Sequence, residues 1–349
     1  MVGDFLAGLE DGNFGFVAHI VAEVEGGPRG DKVLSPKLAD DPSNLMLACY
    51  PHHKMIDVDR KDDFSVETLQ SIKRSHEERI ATQASIAPDR ASHVLRYAAN
   101  VGAHLASMPY QDVAQAMVPD RYPVEGRNTI DLSMYGSART DDEHAYWETE
   151  TTNLERLFES RVRERIRAGE LHHLSVFALA PQPLLMKLGA LIGDITPAEV
   201  FQRHREPEET WRWPDSGEAM PILVTEPVRF DGPIALKIAL SATVGDERIQ
   251  SVLGQDASIW SVTTPSPHND VLKRRENLEQ FRREMRKLFD RIKAVHRVGT
   301  INVFPAMPVA TAVETGRVWM PKADLPLAVW DHNHALGGFV PAITIGEAP

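Results

Sequence analysis

From residue 153 onward, short apolar runs alternate with stretches at helical spacing, and this alternation leaves few architectures open. Runs at 174–179, 222–224, 235–241, 258–262, 301–304 and 325–330 are the length of buried strands. Between them, 153–169 carries Leu154, Leu157, Phe158, Val162 and Ile166 on one helical face, with Gly169 placed to end it. Residues 181–192 read as a loop passing into an apolar helix. Thr196-Pro197 reads as an N-cap and first-turn proline opening a short helix. The longest helical pattern, 269–296, has Leu278, Phe281, Met285, Leu288, Phe289 and Ile292 as its stripe. Strand and helix in turn predict an α/β, Rossmann-like architecture. No Gly-x-Gly-x-x-Gly and no Walker motif is present, so an ordinary dinucleotide or NTP site is not expected.

The 349 residues leave room for two or more domains. A helix at 66–82, with Val66, Leu69, Ile72 and Ile80 amid mixed charge, closes a first domain at 1–82. Residues 83–152, with Pro88, Pro109, Pro119 and Pro123 scattered through them, read as a linker with some helix at 94–106, ahead of a domain at 153–349. Cys49 is the single cysteine, which excludes a disulfide framework and fits a reducing cytoplasm. No apolar run approaches a membrane span and no signal peptide is visible, so a cytoplasmic protein is expected. The net charge of −12 argues against a large constitutive DNA-binding surface. The 269–297 stretch is the basic exception, and it reads as a solvated crossover helix, a subunit contact or a DNA-facing strip.

The stretch from Val17 to Asp57 carries the other signal. Phosphodiester cleavage needs a base to activate water and a divalent cation to take up charge on the phosphate. His19, on a predicted strand, can be the base, and Gly26, Gly27 and Gly30 supply the turn that follows. His53 and Asp57 are four apart, so a helix puts both on one face, where they can share a cation. The Asn44 amide can tie down the loop between the strands and so fix His19. This pattern resembles the HNH endonucleases, the ββα-metal fold. The resemblance implies His19 as general base, Asn44 as the orienting residue and His53 as metal ligand, with Asp57 where some members carry a further ligand. Ala18 stands where many members have an Asp or His ligand, so the cation, Mg²⁺, is expected to be held by fewer protein groups and more water. With Cys49 alone, a structural zinc is not supported. The chain starts shortly before its first strand and is expected to lack an N-terminal segment that its relatives possess.

A second resemblance lies in the phrases VFALAPQPLLMKLG, ALKIALSATV, ASIWSVTTPSPHND, INVFPAMPVATAVETGR and MPKADLPLAVWD. They are similar to SAVED domains, sensors of bacterial anti-phage (CBASS) systems built from two fused Rossmann-like units. The expected fold is therefore α/β multidomain, a small ββα-metal (HNH) domain followed by a SAVED domain. The resemblance implies a cyclic oligonucleotide ligand, a cyclic dinucleotide above others. It also implies self-association on binding and a double-stranded DNA substrate for the switched-on nuclease. Ligands of α/β folds sit at the carboxyl ends of strands, which nominates Gln182, Thr243, His268, Asn269, Phe304, Met307 and Lys322, with Trp260 to stack a base. The alternative is a nucleotide-sensing adaptor whose HNH-like region is degenerate and serves only assembly.

Overall fold

A computed structural model describes residues 15–100, 108–124, 129–134, 139–214, 216–333 and 337–346. Contacts divide the chain into two compact units, Met1–Ala87 and Pro88–Pro349.

The first unit contains β1 (Gly15–His19), α1 (Leu34–Leu38), β2 (Leu45–Cys49), α2 (Tyr50–Lys54) and α3 (Val66–Ser85). Strands β1 and β2 pair antiparallel, Val17 opposite Leu47 and His19 opposite Leu45. Ala18 points inward to join Ile20, Ile56 and Leu69 in a small core, and strand alternation puts Val17 and His19 on the other face. Pro51 sits in the first turn of α2, where its missing N–H costs nothing. The helix runs on as a π-helical turn, Met55–Asp59. Ser65 caps α3 by accepting from the Thr68 N–H, so the expected closing helix begins at its predicted residue.

The second unit contains, in order, β3 (Ala91–Ala98), α4 (Tyr110–Met117), β4 (Tyr122–Pro123), β5 (Ile130–Asp131), α5 (His144–Phe158), α6 (Glu164–Arg167), β6 (Leu174–Leu179), α7 (Gln182–Ile192) and β7 (Ala198–Val200). After these come β8 (Leu223–Thr225), β9 (Ile234–Ala239), α8 (Asp246–Leu253), β10 (Ser258–Thr263), α9 (Arg275–His296), β11 (Ile301–Ala306), α10 (Val309–Val318), β12 (Leu327–Asn333) and β13 (Gly338–Ile345). One sheet runs β4-β3-β6-β7 with β5 also beside β3, and the other runs β13-β12-β11-β9-β10-β8. The strand order β7-β6-β3-β4 matches β12-β11-β9-β10, all parallel. Helices α4, α5 and α7 occupy the same places in the chain as α8, α9 and α10. The unit is thus a repeated βαβαβαβ motif, with β8 and β13 added antiparallel at the edges of the second copy.

The copies meet where α7 crosses α10. A Cβ at Gly189 would collide with the Val313 carbonyl, and one at Gly316 with the Met186 carbonyl. Each glycine is the eighth residue of its helix, so only backbone lies at the crossing and the helices approach closely. A single core spans both sheets and takes in the expected stripe of α9.

Three expectations are corrected. The helix predicted at 94–106 is strand β3 through Ala98, and 101–106 lie outside the described residues. Val94, Leu95, Tyr97 and Ala98 are all buried because both faces of β3 are covered, and such a run has no period of two to read. The short helix expected at Thr196-Pro197 is instead the lead into β7. The Leu174 N–H donates to the Pro197 carbonyl, which starts the parallel pairing, and a proline suits this edge strand. Residues read as a linker supply β3, α4, β4, β5 and the start of α5. Among the described residues no helix is long and apolar enough to cross a membrane.

Candidate functional site

In the first unit, His19 ends β1 with its Nε2 3.0 Å from the Ala39 carbonyl oxygen. A carbonyl only accepts, so Nε2 carries a hydrogen. In the neutral form of the ring, Nδ1 is then the nitrogen able to take a proton. Asn44 is 4% exposed, and its side chain fixes both segments that meet at His19. Its Oδ1 accepts from the Val21 N–H (2.8 Å), and its Nδ2 donates to the carbonyls of Val21 (2.9 Å) and Leu38 (3.1 Å). Leu38 immediately precedes Ala39, so Asn44 holds in place the carbonyl that orients His19.

His53 Nε2 and Asp57 Oδ2 face each other at 3.5 Å, as the four-residue spacing requires. Two ligands about 2.1 Å from one ion at right angles lie about 3 Å apart, so this pair fits one edge of a hydrated cation's shell. Asp57 Oδ1 is engaged by Arg29 Nη2 at 2.5 Å. Among the described residues no three His, Cys, Asp or Glu side chains group as metal ligands. The donors fit an ion held by one imidazole, one carboxylate oxygen and water, and form no closed cage. Cys49 Sγ lies 3.0 Å from His52 Nδ1, an exposed pair beside the helix start.

Arg29 was not singled out from the sequence. Its only signal is an arginine flanked by turn glycines, in GGPRGD.

In the second unit the parallel strands put their carboxyl ends on one edge of each sheet. There the Gln182 Oε1 accepts from the Met307 N–H (3.2 Å), and the Gln202 Oε1 accepts from the Ala310 N–H (3.1 Å). Two side chains of the first copy thus meet backbone at the amino end of α10 in the second. The Leu240 and Ser241 N–H groups donate to the Ala306 carbonyl, and the His268 N–H donates to that of Leu240. Gln182, Thr243, His268, Asn269 and Met307 therefore share this edge, with Thr243, His268 and Asn269 exposed. Met307 is buried, and its N–H is taken up by Gln182.

Three nominated residues are placed elsewhere. Trp260 is fully buried and donates from Nε1 to His296 Nε2 at 3.1 Å, and Phe304 is fully buried against Trp330 and Phe339. Neither can stack a base from this position. Lys322 lies in the turn that precedes β12, at the amino end of that strand and so on the opposite edge. Apolarity could not distinguish a strand-end aromatic in the core from one at a mouth.

Sequence reasoning also missed Gln202, Asp331 and His204. Asp331, near the end of β12, has its carboxyl pushed up to about 7 by burial, reinforced by Asp141. His204 follows β7, is fully buried and has neither ring nitrogen hydrogen-bonded among the described residues. Burial, helped by Lys273 and against Asp270, lowers it to about 4. The backbone beside it is held by the Asp270 carboxylate, which accepts from the Arg205 and Glu206 N–H groups and from Lys273. On α9 the cations are mostly paired, Arg282 with Glu314, Arg286 with Asp324 and Asp290, and Arg291 with Glu226, as suits a crossover helix.

None of the curated proteins matches the chain. Among solved structures, the Acinetobacter baumannii Cap4 SAVED/CARF-domain containing receptor with the cyclic trinucleotide 2'3'3'-cAAA aligns at 10% identity and TM-score 0.47, covering 73% of this chain and 52% of its own. The same receptor with 3'3'3'-cAAA aligns at 12% and 0.48, with the same coverage. The Moraxella osloensis Cap4 receptor aligns at 11% and 0.44, covering 73% of this chain and 50% of its own. The chain thus spans about half the length of these structures. The family model of the SMODS-associated and fused to various effectors sensor domain, SAVED, matches residues 154–345. That match takes in more than half of the sequence, and the chain belongs to the SAVED family.

Proposed function

We propose that the second unit senses a cyclic oligonucleotide and that the first unit is an HNH-type nuclease which cleaves double-stranded DNA in response, as an anti-phage effector. The sensing half is carried by membership of a sensor-domain family and is supported by the carboxyl edge, where Gln182 and Gln202 meet the amino end of α10 and Thr243, His268 and Asn269 are exposed on the loops after β9 and β10. Helix N–H groups and neutral polar side chains suit a phosphodiester ring that brings its own negative charge.

The nuclease half is supported by one observation, the His19 ring fixed by the Ala39 carbonyl with Nδ1 left to accept a proton. On this reading His19 Nδ1 takes the proton of the attacking water, and Asn44 keeps the ring aimed. His53 and Asp57 hold the divalent cation, proposed to be Mg²⁺, which when bound stabilises charge on the scissile phosphate. The chain's net charge of −12 opposes a polyanionic substrate, so self-association on ligand binding is part of the proposal, pooling the phosphate contacts of several units.

The reading is tested by plasmid cleavage with Mg²⁺ against a panel of cyclic di- and trinucleotides, with sedimentation on the same samples. His19→Ala should lose cleavage about a hundredfold or more and keep ligand affinity. Parent-level cutting by His19→Ala removes the assignment of the base. A second reading, an adaptor that assembles without cutting, is favoured by the Arg29 guanidinium on Asp57, whose charge disfavours a cation beside it. Ligand-driven sedimentation without cleavage by the parent chain would select that reading.

A further inference from the structure

One side chain in the first unit joins the segment bearing His19 to the turn bearing Asp57. Arg29 Nε donates to the Ile20 carbonyl (2.7 Å) and Nη2 to that of His19 (3.2 Å). On the other side, Nη1 donates to the Ile56 carbonyl (2.8 Å) and Nη2 to Asp57 Oδ1. The side chain is 9% exposed, so these bonds are shielded from water. The backbone at Arg29 has φ 59°, a left-handed conformation unfavourable for any residue with a Cβ. A residue kept there despite that penalty is over-determined by its surroundings. The next residue is Gly30, where a Cβ would collide with the Val24 and Glu25 carbonyls. The turn thus aims the guanidinium inward.

We propose that Arg29 is a positioning residue that sets the separation between His19 and the His53–Asp57 pair; this rests on the nuclease reading above. The planar fork spans four acceptors on two segments that hydrogen bonds from Asn44 do not connect, since Asn44 reaches only Val21 and Leu38. Holding Asp57 Oδ1, Arg29 also leaves Oδ2 as the oxygen that faces His53. The carboxylate is oriented for a cation and its charge is partly neutralised by the same contact. A lysine keeps the charge but cannot reproduce the fork, since one ammonium has three donors around a single point.

The competing role is a clasp for a unit whose core is small, and the test separates the two. Full-length Arg29→Lys and Arg29→Gln are compared with the parent by steady-state plasmid cleavage and by amide hydrogen exchange. Displacement of a reacting group by about 1 Å costs about a hundredfold, so kcat should fall by about that factor in Arg29→Lys with KM for DNA within about twofold. Exchange at the Ile20 and Val21 amides, both bonded to Asn44, and at Arg60, bonded to Met55, should quicken about tenfold. The amides of α3 should stay as in the parent, which shows that the unit is folded. Parent-like kcat and parent-like exchange in Arg29→Lys overturn the proposal, and so does equal quickening across α3, which marks a clasp for folding. If the parent chain itself cuts nothing with any activator, the nuclease reading falls and the positioning role with it. Cleavage by the parent together with an unaltered Arg29→Lys refutes Arg29 alone.

Discussion

Asn44→Ala should unfold the first unit at a denaturant concentration that leaves the second intact. The Asn44 side chain makes three hydrogen bonds from a site 4% exposed to solvent. Each contributes about 1 kcal/mol, and stranding the buried Val21 N–H adds about 1–3 kcal/mol because alanine offers it nothing. The sum, about 4–6 kcal/mol, is a large share of what a unit of this size possesses, since stability runs at roughly 0.1 kcal/mol per residue. With a urea m-value of about 1 kcal/mol/M for a small unit, the midpoint falls by about 4 M or more. The assay uses a property of the sequence. All six tryptophans, from Trp147 to Trp330, lie in the second unit, so fluorescence follows that unit alone while far-UV circular dichroism follows both. Asn44→Ala should show an early circular-dichroism phase with no fluorescence change, then a fluorescence transition at the parent midpoint. Curves that coincide with the parent in both signals would refute the reasoning that Asn44 anchors this unit, and the account of how His19 is held would fall with it.

Two further outcomes follow from the sites. His53→Ala should weaken Mn²⁺ binding more than Asp57→Ala, because Asp57 already shares its charge with Arg29; calorimetry giving parent affinity in both removes the cation from this face. In the second unit, burial lowers His204 and His173 to about 4 from 6.5. The stability each contributes is full above pH about 6.5 and is lost as pH falls toward 4, where the unfolded chain binds protons and the folded chain does not. Asp331, raised to about 7, acts the other way, favouring the folded state below its ordinary value and losing that contribution as pH rises to 7. Two imidazoles against one carboxyl leave stability rising from pH 4 to 6.5. The fluorescence-monitored urea midpoint should therefore drop between pH 7 and 5, and drop less in His204→Gln; equal drops exclude His204 as a source.

What the sequence made legible depended on how many faces of an element are buried. The stripe of α9 buries one face, so its period is written in the residues and it appears where spacing put it. Helix α3 starts where its cap put it, but of Val66, Leu69, Ile72 and Ile80 only Leu69 is buried, and Ile72 and Ile80 are exposed. Strands β6, β9, β10, β11 and β12 are short apolar runs bounded by turn residues, and their bounds moved by only a few positions. Strand β3 has the same character, but its neighbours on both faces come from α5, α7, α4 and Phe201, all distant in sequence, and nothing local marks it as a strand. Strand β13 contains Pro341 and, among the described residues, pairs only on its β12 side; a proline in mid-strand hid it. In the first unit the spacing of His53 and Asp57 predicted their approach, because one helix carries both. The contact between Arg29 and Asp57 has no local signature, since a left-handed backbone at an arginine is decided by the turn around it.

The repeat shows the same limit from the other direction. Its two copies share little sequence, yet Ala180-Pro181 and Met307-Pro308 each end a parallel strand and put a proline at the cap of the next helix. Each helix then carries a glycine at its eighth residue, where its partner crosses. What is common is what the backbone demands: a cap that needs no N–H, and a position with no Cβ. Side chains outside those demands have diverged. Gln182 and Gln202 come from the first copy and cap backbone of the second. The edge where the copies meet is symmetric in backbone and unlike in chemistry, so on the sensor reading a ring bound across it meets donors of different kinds on its two halves. Discrimination among cyclic oligonucleotides then rests on the loops after β7, β9 and β10, which lie outside the repeat's common framework.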